Sequence, residues 1–503
     1  MKDKSVIIIG AGFAGLSAGI YAQMNNYSSE IYEMHNLPGG LCTSWNRKGY
    51  TIDGCIHWLV GSSPKSGMYR LWQEVGVAKG RKFINLEEFK RYECPDGRTL
   101  IIYSDIDRLK NHLLEFSPQD EDAIEDFCRD IRMFTSFDQP SDTDPLVKKM
   151  QKNIKLGLMM TFRGNKMKKL LRTTAREYFS RFKDPVLREA LEEVWVPDFS
   201  IMFMLFTLAW LHEKNAGYPL GGSLPMSRAL EKRYTELGGK IHYRKKAEKI
   251  TVEQDKAVGV LFSDGCKKYS DVVISAADGY STIFNMLEGK YADEKTKQPY
   301  ESWKIFPPLV YVGIGVNRSF EQEPKTVSGI CYKLNNPIEI AGVEINSLTV
   351  HPFNMDPIMA PDGKTSLVLM LPSGYQYWKK VGEDRAEYEK EKDQIAAKII
   401  GALEQRYPGI TSQVEVLDVA TPLTFERYTG NWQGSFEGWL ITPENSYTLM
   451  KRMSQTLPGL QNFYMCGQWV EPGGGLPTSV MSGRRLVKTL CREDKKKFNT
   501  SIV

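Results

Sequence analysis

Residues 5–33 read SVIIIGAGFAGLSAGIYAQMNNYSSEIYE, and their order of elements decides the fold. A run of apolar β-formers, Val6 to Ile9, leads into Gly10, Gly12 and Gly15 and then into an amphipathic segment carrying Leu16, Ile20 and Met24 at helical spacing. A second apolar pair, Ile31 and Tyr32, ends on Glu33. Strand, tight glycine turn, helix, strand and acid together form the fingerprint of a dinucleotide-binding βαβ unit. Gly10 permits the turn, Gly12 lacks the Cβ that would hold a pyrophosphate off the backbone, and Gly15 lets the helix lie close on the strand. The helix N-terminus offers unpaired N–H groups to phosphates. Glu33, 23 residues after Gly10, stands where a ribose hydroxyl needs a carboxylate.

Outward from this unit, residues 35–61, HNLPGGLCTSWNRKGYTIDGCIHWLVG, are glycine-dense and suit an extended, cofactor-contacting loop. Residues 68–135 alternate helical patterns with short strands, one near Thr99 to Tyr103. The segment 148–188 holds thirteen Lys or Arg against two acids, Glu177 and Asp184, interleaved with Leu, Met and Phe. An apolar block follows, Phe199 to Leu211, too short at 13 residues to span a bilayer. From Tyr218 the α/β pattern returns as Gly turn, helix, strand and hairpin, and DVVISAAD (271–278) reads as a buried strand. Residues 305–425 read as strands around one helix, Glu387 to Arg406. The chain closes with a strand, a Gly/Pro loop and a helix, QNFYMCGQWVEPGGGLPTSVMSGRRLVKTLC. Strand Phe463 to Cys466 runs into Gly467, and Gly473 to Gly475 feed a helix near Pro477 and Thr478, where Thr or Ser can cap free N–H groups.

At 503 residues the chain needs two or more subdomains. Apolar content of 42% and charge of 25% are those of an ordinary globular protein, and a net charge of +5 gives no reason to expect nucleic acid. The eight cysteines show no C-x-x-C and no Cys/His cluster, so neither a metal site nor a disulfide framework is expected, and Cys42 has no partner cysteine in sequence. A reducing, cytoplasmic setting fits, with peripheral membrane attachment through the basic segment. Lys2 and Lys4 ahead of an apolar run imitate a signal peptide, but the glycines fall at fingerprint positions and no small-residue cleavage site follows.

These pieces resemble the phytoene desaturase-like flavoproteins, which include carotenoid desaturases, carotenoid isomerases and retinol saturases. The resemblance rests on IIIGAGFAGLSAG, PGGLCTSWNRKGYTIDGCIHW, YPLGGS, SDVVISAAD and FYMCGQWVEPGGGLP. It implies an α/β fold with non-covalent FAD in a Rossmann-type domain, like those of glutathione reductase and amine oxidases, interleaved with a sheet-based substrate domain and a helical insertion. Residues 1–75, 216–290 and 426–503 would form the FAD domain, 76–145 and 291–425 the substrate domain, and 146–215 the basic, Met-rich insertion. Carried over by position, Gly10, Gly12, Gly15 and Glu33 would hold the adenosine diphosphate part. Gly39, Gly40 and Leu41 would pass beside the pyrophosphate, and Ala247 would offer backbone to the adenine. Gly467, Gly475, Leu476, Pro477 and Thr478 would meet the flavin. Many relatives carry Arg after the glycine doublet; Leu41 and Cys42 stand there instead. No second GxGxxG follows a strand, so a pyridine-nucleotide domain is not expected.

The resemblance implies FAD-dependent redox chemistry on carbon–carbon bonds of an apolar polyene or isoprenoid-like lipid. Its alternatives are an amine or protoporphyrinogen oxidase-like activity, isomerisation with reduced FAD, and non-catalytic prenyl-lipid binding. His57 and Trp58, in GCIHW, are the candidates to face the flavin, with His57 a proton donor or acceptor. Tyr218 and the Gly221–Gly222 turn are expected at the entrance. The basic, Met-rich segment suits an anionic membrane surface from which a lipid-like substrate is drawn.

Overall fold

The computed structural model describes residues 4–135, 146–194, 196–449 and 451–502. Residues 136–145, at the end of the first substrate-domain segment, therefore lie outside the described residues.

A five-stranded parallel sheet orders Lys240–Tyr243, Ser28–Glu33, Ser5–Ile9, Val272–Ser275 and Phe463–Met465 side by side. The N-terminal strand is central because it is apolar on both faces, as a parallel strand covered on both sides must be. Val6 and Ile8 enter a core with the helices Phe13–Met24, Ser223–Glu236 and Leu476–Glu493. Ile7 and Ile9 point the other way, into a core with the antiparallel strands Ala247–Glu253 and Lys256–Phe262. The first and last helices touch through Gly483, where a Cβ would stand 2.6 Å from the Ala14 carbonyl oxygen. The last segment thus completes the layer begun by the first.

A seven-stranded sheet runs Val414–Ala420, Leu309–Val316, Thr365–Pro372, Val343–Pro352, Ile330–Ile340, Glu88–Glu93 and Thr99–Tyr103. It is antiparallel except where Ile330–Ile340 meets Glu88–Glu93. Strands from before and after the first sheet's middle segments therefore share one sheet. Residues 305–425 carry helix Arg385–Arg406, as read, and two short helices besides, Tyr375–Val381 and Pro422–Thr429.

The glycine-dense stretch 35–61 differs from the extended loop expected of it. It contains a hairpin, Ser44–Arg47 against Tyr50–Asp53. Lys48 (φ 51°) and Gly49 (φ 90°) turn it, two successive positive φ values that match a right-twisted two-residue hairpin loop. The hairpin rests on the second sheet because Gly313 and Gly315 leave room there. Their absent Cβ atoms would stand 2.6 Å from Ile52 and 2.5 Å from Tyr50.

Helices Glu121–Phe134, Leu146–Arg172, Pro185–Glu192 and Ile201–His212 form a helical layer. Ile201–His212 is apolar all round and buried in its core, as such a helix must be. Among the described residues, no helix is long and apolar enough to cross a membrane.

Candidate functional site

The glycine turn forms a cradle. Gly10 (φ 96°) donates its N–H to the Tyr32 carbonyl at 2.8 Å. At Gly15 a Cβ would fall 2.0 Å from the Gly10 carbonyl oxygen, so only glycine lets the helix start this close. Gly12 faces the doublet: Gly39 N–H bonds the Ala11 carbonyl at 2.8 Å. A Cβ on Gly12 would meet nothing nearer than Gly39 O at 3.9 Å, and one on Gly40 nothing nearer than Gly12 Cα at 3.5 Å. The groove is open where a pyrophosphate needs it. No side chain caps the Phe13 end of the helix, so its N–H groups stay free for an anion.

Glu33 is buried, yet borders the cavity. Its Oε2 accepts from Ala11 N–H at 2.6 Å and its Oε1 from His35 N–H at 2.8 Å. Burial raises its carboxyl above the ordinary value, and the backbone donors oppose that rise. Ala247 lies along the same wall, beside Lys245 and Lys246. Leu41 lines the groove in place of a charged residue.

At the far end, Gly467 (φ 107°) donates to Ser482 Oγ at 2.8 Å. Gly473, Gly474 and Gly475 all have positive φ and lead into Leu476–Glu493, with Pro477 in its first turn. The expected cap is absent. Thr478 Oγ1 donates back to the Gly474 and Gly475 carbonyls, at 2.7 and 2.8 Å. The helix N-terminus therefore opens uncapped into the cavity, alongside Gly467, Gly475, Leu476, Pro477 and Thr478.

One continuous cavity of about 3560 Å³ joins both ends. It then enters an apolar arm walled by Phe134, Met167, Leu171, Met202, Phe203 and Phe206. Small-molecule sites usually occupy about 300–1,000 Å³, so there is room for a dinucleotide and a long apolar ligand together. The open glycine groove, the ribose-side carboxylate and two uncapped helix ends fit FAD.

His57 and Trp58 both line this cavity. Burial pushes the His57 imidazole down to about 4, so it is neutral at physiological pH. Its ring lies 4.7 Å from that of His351, which burial also holds well below the ordinary histidine value. Trp58 packs edge-on against Phe89 at 5.6 Å. Tyr218 and the Gly221–Gly222 turn are not at the entrance. Tyr218 is buried and donates to Asp356 Oδ2 at 3.0 Å, which Gly221 N–H also reaches at 2.7 Å. Their work is internal, because Gly222 sits where a Cβ would strike Asp53. Buried Asp53 accepts from Ser223 N–H and Oγ, both at 2.6 Å, and from Cys55 and Ile56 N–H, both at 3.0 Å. It fixes the backbone that presents His57.

Two acids were not singled out from sequence. Asp278 accepts from Ser281 and Trp432 N–H, yet burial lifts its carboxyl to about 7. Glu437 lines the cavity beside Gly474, has no hydrogen-bond or ion-pair partner among the described residues, and burial lifts it to about 7 as well. Beside Asp278 stand stacked Tyr280 and Trp432 (5.3 Å), and Trp432 adjoins Trp439, itself perpendicular to Trp469 (5.0 Å). Asp278 was visible as the end of DVVISAAD, but Glu437 carries no local signal.

Comparison with known proteins adds a context to this geometry. The family described as flavin containing amine oxidoreductase matches residues 13–491. The chloroplastic prolycopene isomerase of Arabidopsis thaliana is 23% identical over 498 residues, covering 95% of this chain and 81% of that protein. The neurosporene-forming phytoene desaturase of Rhodobacter capsulatus is 25% identical over 506 residues, 96% of this chain and 93% of its own. Among solved structures, an oxidoreductase from Methanosarcina mazei superposes with a TM-score of 0.61 at 15% identity, covering 96% of this chain and 100% of that one. Cyclohexylamine oxidase from Brevibacterium oxydans superposes with a TM-score of 0.59 at 13% identity, over 98% and 100%.

Proposed function

The chain belongs to the flavin-containing amine oxidoreductase family, and from that premise we propose that it is an FAD-dependent oxidoreductase of carbon–carbon bonds in a long, apolar polyene or isoprenoid-like lipid. The observation that carries this reading is the continuity of the cavity: the dinucleotide groove opens into an arm walled by Phe, Met and Leu. Such a wall binds hydrocarbon through burial of apolar area, and its methionines adapt to an irregular chain.

Bound FAD supplies hydride transfer to or from carbon. Gly10, Gly12, Gly15 and Glu33 hold the adenosine diphosphate end, with Gly39, Gly40 and Leu41 across the pyrophosphate and Ala247 at the adenine. Gly467, Gly475, Leu476, Pro477 and Thr478 receive the flavin, where the uncapped helix end favours negative charge. Glu437 Oε2 holds the proton that must accompany the hydride, since a carboxyl near 7 can both give and take one at physiological pH. Neutral His57 donates or accepts a hydrogen bond without bringing a charge into the apolar arm. The Trp and Tyr side chains beside Asp278 exclude water from that end of the cavity.

The helix Leu146–Arg172 extends the reading to a membrane surface. Its Met167 and Leu171 line the cavity, and further along Val147, Met150 and Ile154 are 65%, 60% and 56% exposed. Spacing of three and four residues puts these on one helical face. Exposed lysines 168 and 169 flank the cavity end, and an apolar face with basic flanks suits an anionic bilayer. The side chains of Lys148, Lys149 and Lys155 lie outside the described residues.

Anaerobic incubation of oxidised and reduced holoenzyme with a panel of polyenes tests the reading. The expected result is a product differing by two hydrogens, with matching loss or return of flavin absorbance. A product of unchanged mass would mean isomerisation, and turnover of amines alone would overturn the polyene assignment.

A further inference from the structure

Cys42 has no partner cysteine nearby in sequence, but the hairpin supplies one. Ser44 pairs with Asp53 in the ladder, and Gly54 N–H continues it by donating to the Thr43 carbonyl at 3.0 Å. One step further, the register places Cys42 opposite Cys55. The strands end at Ser44 and Asp53; in a regular ladder continued to Cys42 and Cys55 that step would be a non-hydrogen-bonded position, with facing Cα atoms about 4.5 Å apart, within the range a disulfide spans. Cys42 Sγ donates to the Ser223 carbonyl at 3.8 Å, and Cys42 is the neighbour that, ahead of burial, raises the Cys55 thiol.

Both residues border the flavin cavity. Cys42 N–H bonds the Gly39 carbonyl at 3.1 Å, one turn from the phosphate cradle. On the other side Cys55 feels the carboxyl of Glu437, which lies against Gly474 of the flavin-end loop. The thiol pair is therefore set between the two ends of the cofactor site. The Arg81 guanidinium, bound to the Val77 and Leu220 carbonyls and to no carboxylate among the described residues, is an electrostatic neighbour of Cys42.

We propose that Cys42 and Cys55 are a redox-active dithiol that exchanges two electrons with the bound flavin. Two S–H bonds break and one Sγ–Sγ bond forms. The two electrons and one proton pass to oxidised FAD, and the second proton passes to the Glu437 carboxylate. The reverse step restores both thiols. This inference rests on the FAD cofactor and not on the polyene substrate, so failure of the substrate reading leaves it standing. It gives electrons a route through the protein in a chain with a single dinucleotide fingerprint.

The test is an anaerobic titration of air-oxidised holoenzyme with dithionite, together with alkylation and peptide mass mapping. Wild type is expected to take up four electrons per flavin, two for the flavin and two for the disulfide. Cys42→Ser and Cys55→Ser, each retaining flavin absorbance, are expected to take up two. Cys466→Ser, which removes another thiol of the same cavity, is expected to keep all four. Mapping should find Cys42 and Cys55 linked before reduction and alkylated after it. Two-electron uptake by wild type overturns the proposal even if the variants misfold, and so does four-electron uptake that survives in both variants.

Discussion

Gly474 and Glu437 are fitted to each other: a Cβ on the glycine would stand 2.7 Å from Glu437 Oε2. Gly474 also holds φ at 71°, which strains any L side chain. The glycine loop before the closing helix therefore bears on the position of Glu437, which has no hydrogen-bond or ion-pair partner among the described residues. Gly474→Ala should displace the carboxyl while leaving the adenosine cradle intact. Misplacing a catalytic group by about 1 Å costs on the order of 10²-fold in rate. The expected outcome is a fall of that size in kcat, with bound flavin retained in the absorbance spectrum.

Glu437 itself sets a pH dependence. Burial raises its carboxyl from 4.5 to about 7. The folded state thus binds the proton more tightly than the unfolded chain. The stability this contributes is present below about 4.5 and is lost as pH rises through about 7. Glu437→Gln removes a carboxylate that folding must desolvate at high pH. Its Tm should exceed that of wild type at pH 8 by an amount absent at pH 4, with about 3 kcal/mol as the scale of a shift of this size. Turnover should respond oppositely. Losing the proton carrier lowers kcat by about 10²–10⁴-fold, and the wild-type inflection near 7 should vanish from the pH profile.

The contrast between these two residues and the N-terminal motif shows what a sequence can display. Gly10, Gly12, Gly15 and Glu33 lie within one βαβ unit, so spacing alone places them together. The glycine doublet and the closing loop were legible through resemblance, and both border the same cavity. Glu437 is different. Its character comes from burial beside Gly474, brought in from a distant part of the chain, and no spacing encodes that. Cys55 was hidden for a smaller reason: Lys48-Gly49 is a hairpin turn, and reading 35–61 as a loop discarded the hairpin whose ladder ends at Ser44 and Asp53, two residues short of Cys42 and Cys55. Tyr218 was misplaced because an aromatic beside glycines resembles a cavity rim, whereas here it binds a buried aspartate.

Gly15→Ala tests the cradle. The added carbon would fall 2.0 Å from the Gly10 carbonyl oxygen, a backbone atom that cannot swing aside. Helix Phe13–Met24 would have to lift from the sheet, and its contact with the closing helix through Gly483 would shift with it. Overpacking of this kind costs about 1–3 kcal/mol. A colourless protein with a Tm several degrees lower is expected. Undiminished flavin content after gel filtration would refute the cradle.

Binding to membranes can be tested without disturbing the core, provided Lys166 is spared. Lys166 is ion-paired with Asp130, which is buried and also accepts from Tyr178 Oη at 2.9 Å. Reversing its charge would strand that buried aspartate beside a like charge, which destabilises the fold. Lys168 and Lys169 are exposed and suit the test. Each basic side chain near an anionic bilayer contributes about 1 kcal/mol. Replacing both by Glu should therefore weaken flotation with phosphatidylserine vesicles by at least ~30-fold, and salt should weaken the wild type in the same direction. Met150→Asp and Ile154→Asp should weaken it at every salt concentration, since the apolar face contributes by burial and not by charge. Binding that none of these changes alters would detach the helix from any membrane role.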